Sequence, residues 1–326
     1  SIKVGDIYSL YGRGLTLNLI QNQNIDYDNS IRGGEIKYYW NDLTLFGLVG
    51  ISDFQYRSKS ADPKDLELEN TLFFGGFEYA SGNLGTYSIA YLYESSLIQY
   101  ETIKNYRDFE LFDVGLDLAE QYNEESGNIL PKVNDTLITK DLNFNWNASF
   151  LGTDVYIEKV WNSYTKVLGN SVYGSKLYLS LYFNFAGTGI TYEYKNYDQK
   201  YHIPTSSNAP IVFREGNSTL ASRFNHAINW GDEIGHQLEI NRALTDNFNF
   251  IWNYSFSHKH SKLKDNLFHS ILHNKVANII ELYPYKQMYV GISGWSLKDK
   301  LFFKAGFDIL DNYKYYESTP TGIFAT

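Results

Sequence analysis

The chain of 326 residues has no cysteine, one methionine and six prolines. Without thiols it has no disulfide framework, no cysteine-type zinc site and no cysteine nucleophile. Basic residues are scarce too: 28 Lys and Arg face 37 Asp and Glu, a formal net charge of −9 with a pI near 5.3. A dedicated nucleic-acid binder needs a basic face to release counterions, so nucleic acid is excluded as a partner. Mean hydropathy is −0.36, and no uninterrupted apolar run approaches the roughly 18 residues that a spanning helix requires. That excludes a helical membrane protein. A composition shift, charge block or Pro/Gly/Ser-rich linker is also missing, although this length ordinarily suggests about two soluble domains. The aromatic excess of 29 Tyr, 21 Phe and 6 Trp instead runs evenly from end to end. The expectation is one repetitive all-β domain over residues 1–326. The chain opens on Ser1 without a charged-then-apolar leader and closes on the polar, Pro-containing run 313–326. Its ends are therefore expected to be truncated, by removal of a signal peptide or as a segment of a longer barrel.

What the sequence does contain is period-two alternation, repeated many times. Leu142, Phe144, Trp146, Ala148 and Phe150 alternate with Asn143, Asn145, Asn147 and Ser149. Leu177, Leu179, Leu181, Phe183 and Phe185 alternate with Tyr178, Ser180, Tyr182 and Asn184. Phe248 to Phe256, Leu15 to Leu19, Tyr87 to Tyr93 and Leu301 to Phe307 repeat the pattern. Such alternation means strands with one apolar and one wet face. Helical spacing is nearly absent; Leu267 to Ile280 reads as a short amphipathic helix or equally as strand or loop. About 14 to 18 strand-like segments of roughly 9 to 14 residues can be counted, longer than the usual soluble mode of about 5 to 6. Short turn-rich connectors (Asn41-Asp42, Ser81-Gly82-Asn83, Gly187-Thr188-Gly189, Thr245-Asp246-Asn247) alternate imperfectly with long polar ones (59–65, 121–135, 197–217, 258–278).

A soluble sandwich and a membrane barrel both alternate, so the make-up of each face decides. A sandwich core favours branched aliphatics, and its outer face carries abundant Lys and Glu. Here the apolar face is rich in Phe, Tyr and Trp, and the opposite face in Asn, Ser, Thr, Tyr and Gly. Sparsely charged polar residues suit a hydrated interior, and aromatics at strand ends suit interfacial girdles. Trp40, Trp161, Trp230, Tyr283 and Tyr285 are the candidate girdle residues. A closed barrel also satisfies every backbone group inside the hydrocarbon. The expected fold is an antiparallel transmembrane β-barrel of about 14 to 18 strands in a bacterial outer membrane.

Particular residues add a resemblance. The run Val4-Gly5-Asp6-Ile7-Tyr8-Ser9-Leu10-Tyr11-Gly12-Arg13-Gly14-Leu15, followed by Asn29-Ser30-Ile31-Arg32-Gly33-Gly34-Glu35-Ile36, resembles an element of uncharacterised outer-membrane barrels of Bacteroidota and related bacteria. Ala209-Pro210-Ile211-Val212-Phe213-Arg214-Glu215 is similar to a later Pro…Arg-Glu loop of the same family. The likeness extends to about residue 260. It departs at Gly216, where the family often has His, and the family usually has more chain before the first motif. The resemblance implies an outer-membrane barrel of unassigned activity.

Charges are costly on a lipid face, about 2 to 4 kcal/mol for Arg at the midplane. Asp6 and Arg13 are accordingly expected in the interior or near an interface. They read either as a charged constriction or as an ion pair holding neighbouring strands beside Gly12 and Gly14. Arg214 and Glu215 sit in a long loop with Pro204 and Pro210, folded inward to narrow a pore or solvated outside. His258 with His260, and His269 with His273, have spacings that can hold zinc or copper. Three neighbouring lysines (Lys259, Lys262 and Lys264) oppose a cation there, so no metal and no cofactor is assigned. No Gly-x-Ser-x-Gly elbow, phosphate-cradling loop or His-Glu-x-x-His pair occurs, and no catalytic residue is assigned. The leading functional expectation is a porin-like channel or transporter for small polar solutes, with membrane lipid and such solutes as partners. A non-conducting, plugged barrel that scaffolds a surface or secretion assembly of envelope proteins is the alternative. A secreted all-β glycan-binding protein is the third.

Overall fold

The computed structural model describes residues 1–22, 27–56, 66–98, 135–166, 171–198, 206, 232–258, 260, 285–297, 300–312, 315–318 and 322–325. Its first strands are β1 (Ile2–Ile7), β2 (Leu10–Tyr11), β3 (Leu17–Asn18), β4 (Gln21–Asn22), β5 (Tyr27–Asp28) and β6 (Ile31–Trp40). Long strands follow: β7 (Leu43–Tyr56), β8 (Leu66–Ala80), β9 (Thr86–Ile98), β10 (Asp135–Phe150), β11 (Thr153–Lys166), β12 (Val172–Phe185) and β13 (Thr188–Asp198). The last are β14 (Asp232–Thr245), β15 (Phe248–His258), β16 (Tyr285–Ser296), β17 (Leu301–Asn312), β18 (Tyr315–Ser318) and β19 (Gly322–Ala325). Thirteen of them form one sheet in the order β1-β6-β7-β8-β9-β10-β11-β12-β13-β14-β15-β16-β17. Among the described residues β1 and β17 are its two ends and do not pair with each other, and β18 and β19 form a separate hairpin. The one helical turn among them is Gly82–Leu84.

After β6 the connectors alternate in length. Two residues join β6 to β7, β10 to β11, β12 to β13 and β14 to β15, whereas residues 99–134, 199–231 and 259–284 separate β9 from β10, β13 from β14 and β15 from β16. The tight turns take left-handed backbone at Asn41 (φ 51°), Leu151 (φ 53°) and Ala186 (φ 49°). Such primed turns match the twist of the strands they join. Leu151, fully exposed, carries no turn signature, which is why that turn escapes sequence reading. The expected Gly187–Gly189 turn is displaced to Ala186-Gly187, and Thr188 and Gly189 pair with Arg242 and Asn241 in the sheet.

The chain divides into two compact units. Ser1–Asn145, Glu158–Lys176 and Gln199–Pro210 make the first; Trp146–Ile157, Leu177–Asp198 and Ile211–Thr326 make the second. In the first unit the strands are apolar on the outward face: Ile36, Tyr38 and Trp40 on β6, Leu45, Val49 and Ile51 on β7, Phe73 and Phe77 on β8, and Ile89 and Tyr91 on β9 are all exposed. The intervening residues turn inward and are buried, among them Ser88, Glu94 and Ser96 on β9 and Asp141 and Asn143 on β10. In the second unit Asn253, Ser255 and Ser257 of β15 are fully buried, while Tyr254 between them is exposed. Apolar outside and polar inside inverts the pattern of a soluble sheet, and only a hydrocarbon environment makes that inversion favourable.

Candidate functional site

On the inner side of the first unit the chain between β1 and β6 packs against the sheet. Gly12 (φ 56°) and Gly14 (φ 85°) take backbone conformations closed to most side chains, and the Gly14 N–H donates to the Tyr11 carbonyl at 3.0 Å. This reverses the chain, so that Leu10 pairs with Asn18 and Tyr11 with Leu17. Asn29 ties the far end: its side chain accepts from the Ile20 N–H at 2.6 Å and donates to the Asn18 carbonyl at 2.8 Å. Leu15, Thr16 and Leu17 are completely buried as a result. The Gly12-Arg13-Gly14 run thus supplies the reversal that builds this inner segment.

The segment has two unlike sides. Tyr11, Leu17 and Leu19 join Ile7, Ile31, Leu48, Leu72, Phe74, Ala90 and Leu92 in one apolar cluster, with Phe46 packed against it. The Tyr11 ring lies 5.3 Å from Phe46 and 5.1 Å from Phe74. Each large aliphatic side chain buried here contributes about 1.5 to 3 kcal/mol. Ser88 donates to the Phe77 carbonyl at 3.0 Å, so its contact with Tyr11 at 2.6 Å is donated by the phenol. Burial pushes the Tyr11 phenol up from its ordinary value and keeps that proton in place.

The other side is polar. Glu158 accepts from the Arg13 backbone N–H at 2.8 Å and from Asn143 at 2.7 Å. Asn143 also donates to Thr16 Oγ1 at 2.8 Å, and Lys176 Nζ donates to the Leu15 carbonyl. Lys176 stands 3.9 Å from Asp141, whose other oxygen accepts from Asn162 at 2.5 Å. Glu158, Lys176, Asp141, Asn143 and Asn162 are all buried. Ser206 closes the end, its backbone carbonyl accepting from Asn18 at 2.7 Å and its hydroxyl donating to Glu94 at 2.7 Å. Because Glu158 and Lys176 grip backbone atoms, the clamp does not depend on the side chains at positions 13 and 15.

The expected site residues fall as follows. Asp6 and Arg13 do not meet. Asp6 lies opposite Arg32 across β1 and β6, with the carboxylate and guanidinium 3.8 Å apart and 63% and 80% exposed. This is an interstrand pair on the outer face at the end of the strands, not a charged constriction. Arg13 is exposed, and its backbone carries the contact that the side chain was expected to make. Trp40 and Trp161 are exposed, at 61% and 50%. Tyr285, expected beside them at a girdle, is 2% exposed and donates to Gln287 at 2.9 Å on the inner face. Its correction follows from parity: Tyr285, Gln287 and Tyr289 share the buried face of β16, opposite to Met288 and Val290. Arg214, Glu215, Trp230, Tyr283, His269 and His273 lie outside the described residues. His258 is buried, and His260 contacts Asn196 Oδ1 at 3.0 Å. No group of three His, Asp or Glu converges as a metal site among the described residues. Sequence reading missed Glu158 and Lys176; only their buried parity with Asn162 and Tyr178 marks them.

In the second unit the inner face carries its own polar network. Lys195 and Glu233, both buried, pair at 2.9 Å, and Tyr178 donates to Glu193. Asn253 donates to Glu239 at 3.0 Å, and Gln287 donates to Asp308 at 2.9 Å.

A meander of long antiparallel strands, apolar outward and hydrogen-bonded inward, belongs to the outer-membrane β-barrel class of fold. Among solved structures the chain is similar to OpdO of Pseudomonas aeruginosa, with 11% identity and a TM-score of 0.46 over 96% of this chain and 70% of that one. It is similar to BamA of Haemophilus ducreyi lacking POTRA domains 1–3, with 12% identity and a TM-score of 0.45 over 91% of this chain and 60% of that one. It is also similar to the toluene transporter TodX of P. putida, with 10% identity and a TM-score of 0.31 over 90% and 80%. No protein-family model and no curated protein matches the sequence.

Proposed function

We propose that this chain is an outer-membrane β-barrel acting as a narrow channel or transporter for small polar solutes, with its own N-terminal segment as the constriction. The observation that carries the reading is the complete burial of Leu15 and Thr16 beside a wall in which Asn143, Glu158 and Lys176 bond the segment. Asp141 and Asn162 stand behind Lys176, and Leu17 is equally buried in the apolar cluster on the other side. A barrel that only spans a membrane has no need of buried charges reaching backbone atoms of an inner segment. The outward apolar face supports contact with membrane lipid, and Trp40 and Trp161 fit interfacial positions on it. The exposed aromatics lie among Leu, Val, Ile and Phe, which suits lipid better than sugar. Arg214 and Glu215 are assigned to a solute-facing or external loop on sequence grounds, and the reading assigns no catalytic residue and no cofactor.

A second reading has specific support from the same burial: a permanently plugged barrel that scaffolds other envelope proteins. Single-channel recording of the detergent-purified, heat-modifiable full chain in planar bilayers separates the two. Small, brief, salt-dependent steps are expected. Folded protein that inserts and stays silent overturns the channel reading in favour of the scaffold, whereas large steady porin-type steps overturn the constriction.

A further inference from the structure

The two sides of the N-terminal segment differ in what water can replace. On the side of β7, β8 and β9, Tyr11, Leu17 and Leu19 sit on Leu48, Leu72, Phe74, Ala90 and Leu92, and water cannot substitute for that burial. On the side of β10, β11 and β12, the contacts are hydrogen bonds from Lys176 to the Leu15 carbonyl, from the Arg13 N–H to Glu158, and from Asn143 to Thr16. Water or a polar solute can take over each of these bond for bond. The segment is thus anchored by one side and latched by the other. We propose that solutes pass on the latched side, between the segment and the wall of Asp141, Asn143, Glu158, Asn162 and Lys176, and that Glu158 and Lys176 both hold the latch and set a preference for cations over anions. The inference rests on the channel reading above.

The charge preference follows from the wall itself. Three buried carboxylates, Asp141, Glu158 and Glu94, act on one ammonium, Lys176, which lies 3.9 Å from Asp141. With all four ionised they carry two negative charges, and carboxylates along a narrow path favour cations. The Lys176 ammonium already occupies the seat a solute cation would take, between a carboxylate and a backbone carbonyl. Small cations and amine-bearing polar solutes are therefore the class admitted, and small anions the class refused.

The test is reversal potential in a KCl gradient across planar bilayers, with heat-modifiable full-length protein. Glu158→Gln halves that net charge and removes one latch; the reversal potential is expected to move toward zero, with openings prolonged several-fold. Lys176→Met leaves three negative charges, so the potential is expected closer to the potassium limit. Because that change also leaves Asp141 buried without its ammonium, Asp141→Asn combined with Lys176→Met serves as the partner variant and is expected to return to the wild-type potential. Leu72→Ala, on the anchored side, is expected to lower stability and leave the potential unchanged. Conducting channels whose reversal potential ignores the three wall variants, or moves equally with Leu72→Ala, overturn the assigned route. Silence of every folded variant overturns the channel reading itself.

Discussion

The two units solve the same problem, an inward sheet face, in different ways. In the first, a stretch of the inner face of β7, β8 and β9 (Leu48, Leu72, Phe74, Ala90 and Leu92) is apolar where a piece of the same chain covers it. In the second, Lys195, Glu233, Gln237, Glu239, Asn253 and Gln287 lie on the inner face, where polar side chains bond one another. Lys195 reaches Glu233 by crossing Gly235, where an added Cβ would come within 2.7 Å of the lysine chain. Inner-face polarity therefore follows from what faces it, and an apolar inner stretch in an otherwise wet barrel marks a covering segment.

Substitutions can break or sharpen this contrast. The largest effect is expected in the second unit from Lys195→Met, which leaves Glu233 as an uncompensated buried charge at a cost of about 3 to 5 kcal/mol; urea unfolding followed by tryptophan fluorescence in detergent measures it. If the loss is under about 1 kcal/mol, the pair behaves as a solvated one and the contrast fails. In the first unit, Leu17→Ala is expected to cost about 2 to 5 kcal/mol if the covering segment belongs to the folded core. A variant that unfolds like wild type shows instead that the segment detaches before the sheet melts. Next comes Gly306→Val: an added Cβ at Gly306 or at its partner Gly291 meets the Tyr289 hydroxyl at 2.5 Å. Displacing that ring is expected to cost about 1 to 3 kcal/mol, and Gly306→Val combined with Tyr289→Ala should recover part of it. The smallest change is Asp6→Asn. The pair with Arg32 is exposed, so a shift of at most about 0.5 kcal/mol is expected, shrinking further in high salt.

Much of this was legible in residue order, and the exceptions are informative. The split of Leu142, Phe144 and Trp146 from Asn143 and Asn145 separates outward from inward residues on the first part of β10, because a strand's period is two, but it fails near the turn, where Ala148 is buried and Asn147 and Ser149 are exposed. The separation holds for Tyr87, Ile89 and Tyr91 against Ser88 and Ala90 on β9. Tyr285 departs from the girdle expectation because an aromatic at a strand end has the same sequence signature on either face, and only its register with buried Ser257 of β15 places it inside. The Gly12-Arg13-Gly14 string is charged in sequence, but its use is conformational: two left-handed glycines fold the segment back and offer backbone atoms to distant strands.

Composition and alternation alone determined the fold class, the outward apolar face and the inward Asn and Ser rows, since these are properties of single strands repeated along the chain. Which strands cover which, that residues 8–22 fold back onto the first unit, and that Glu158 and Lys176 meet Arg13 and Leu15 across more than a hundred residues were decided by tertiary structure. The physical reason is that those contacts end on backbone N–H and C=O groups, which every residue carries and no sequence pattern distinguishes.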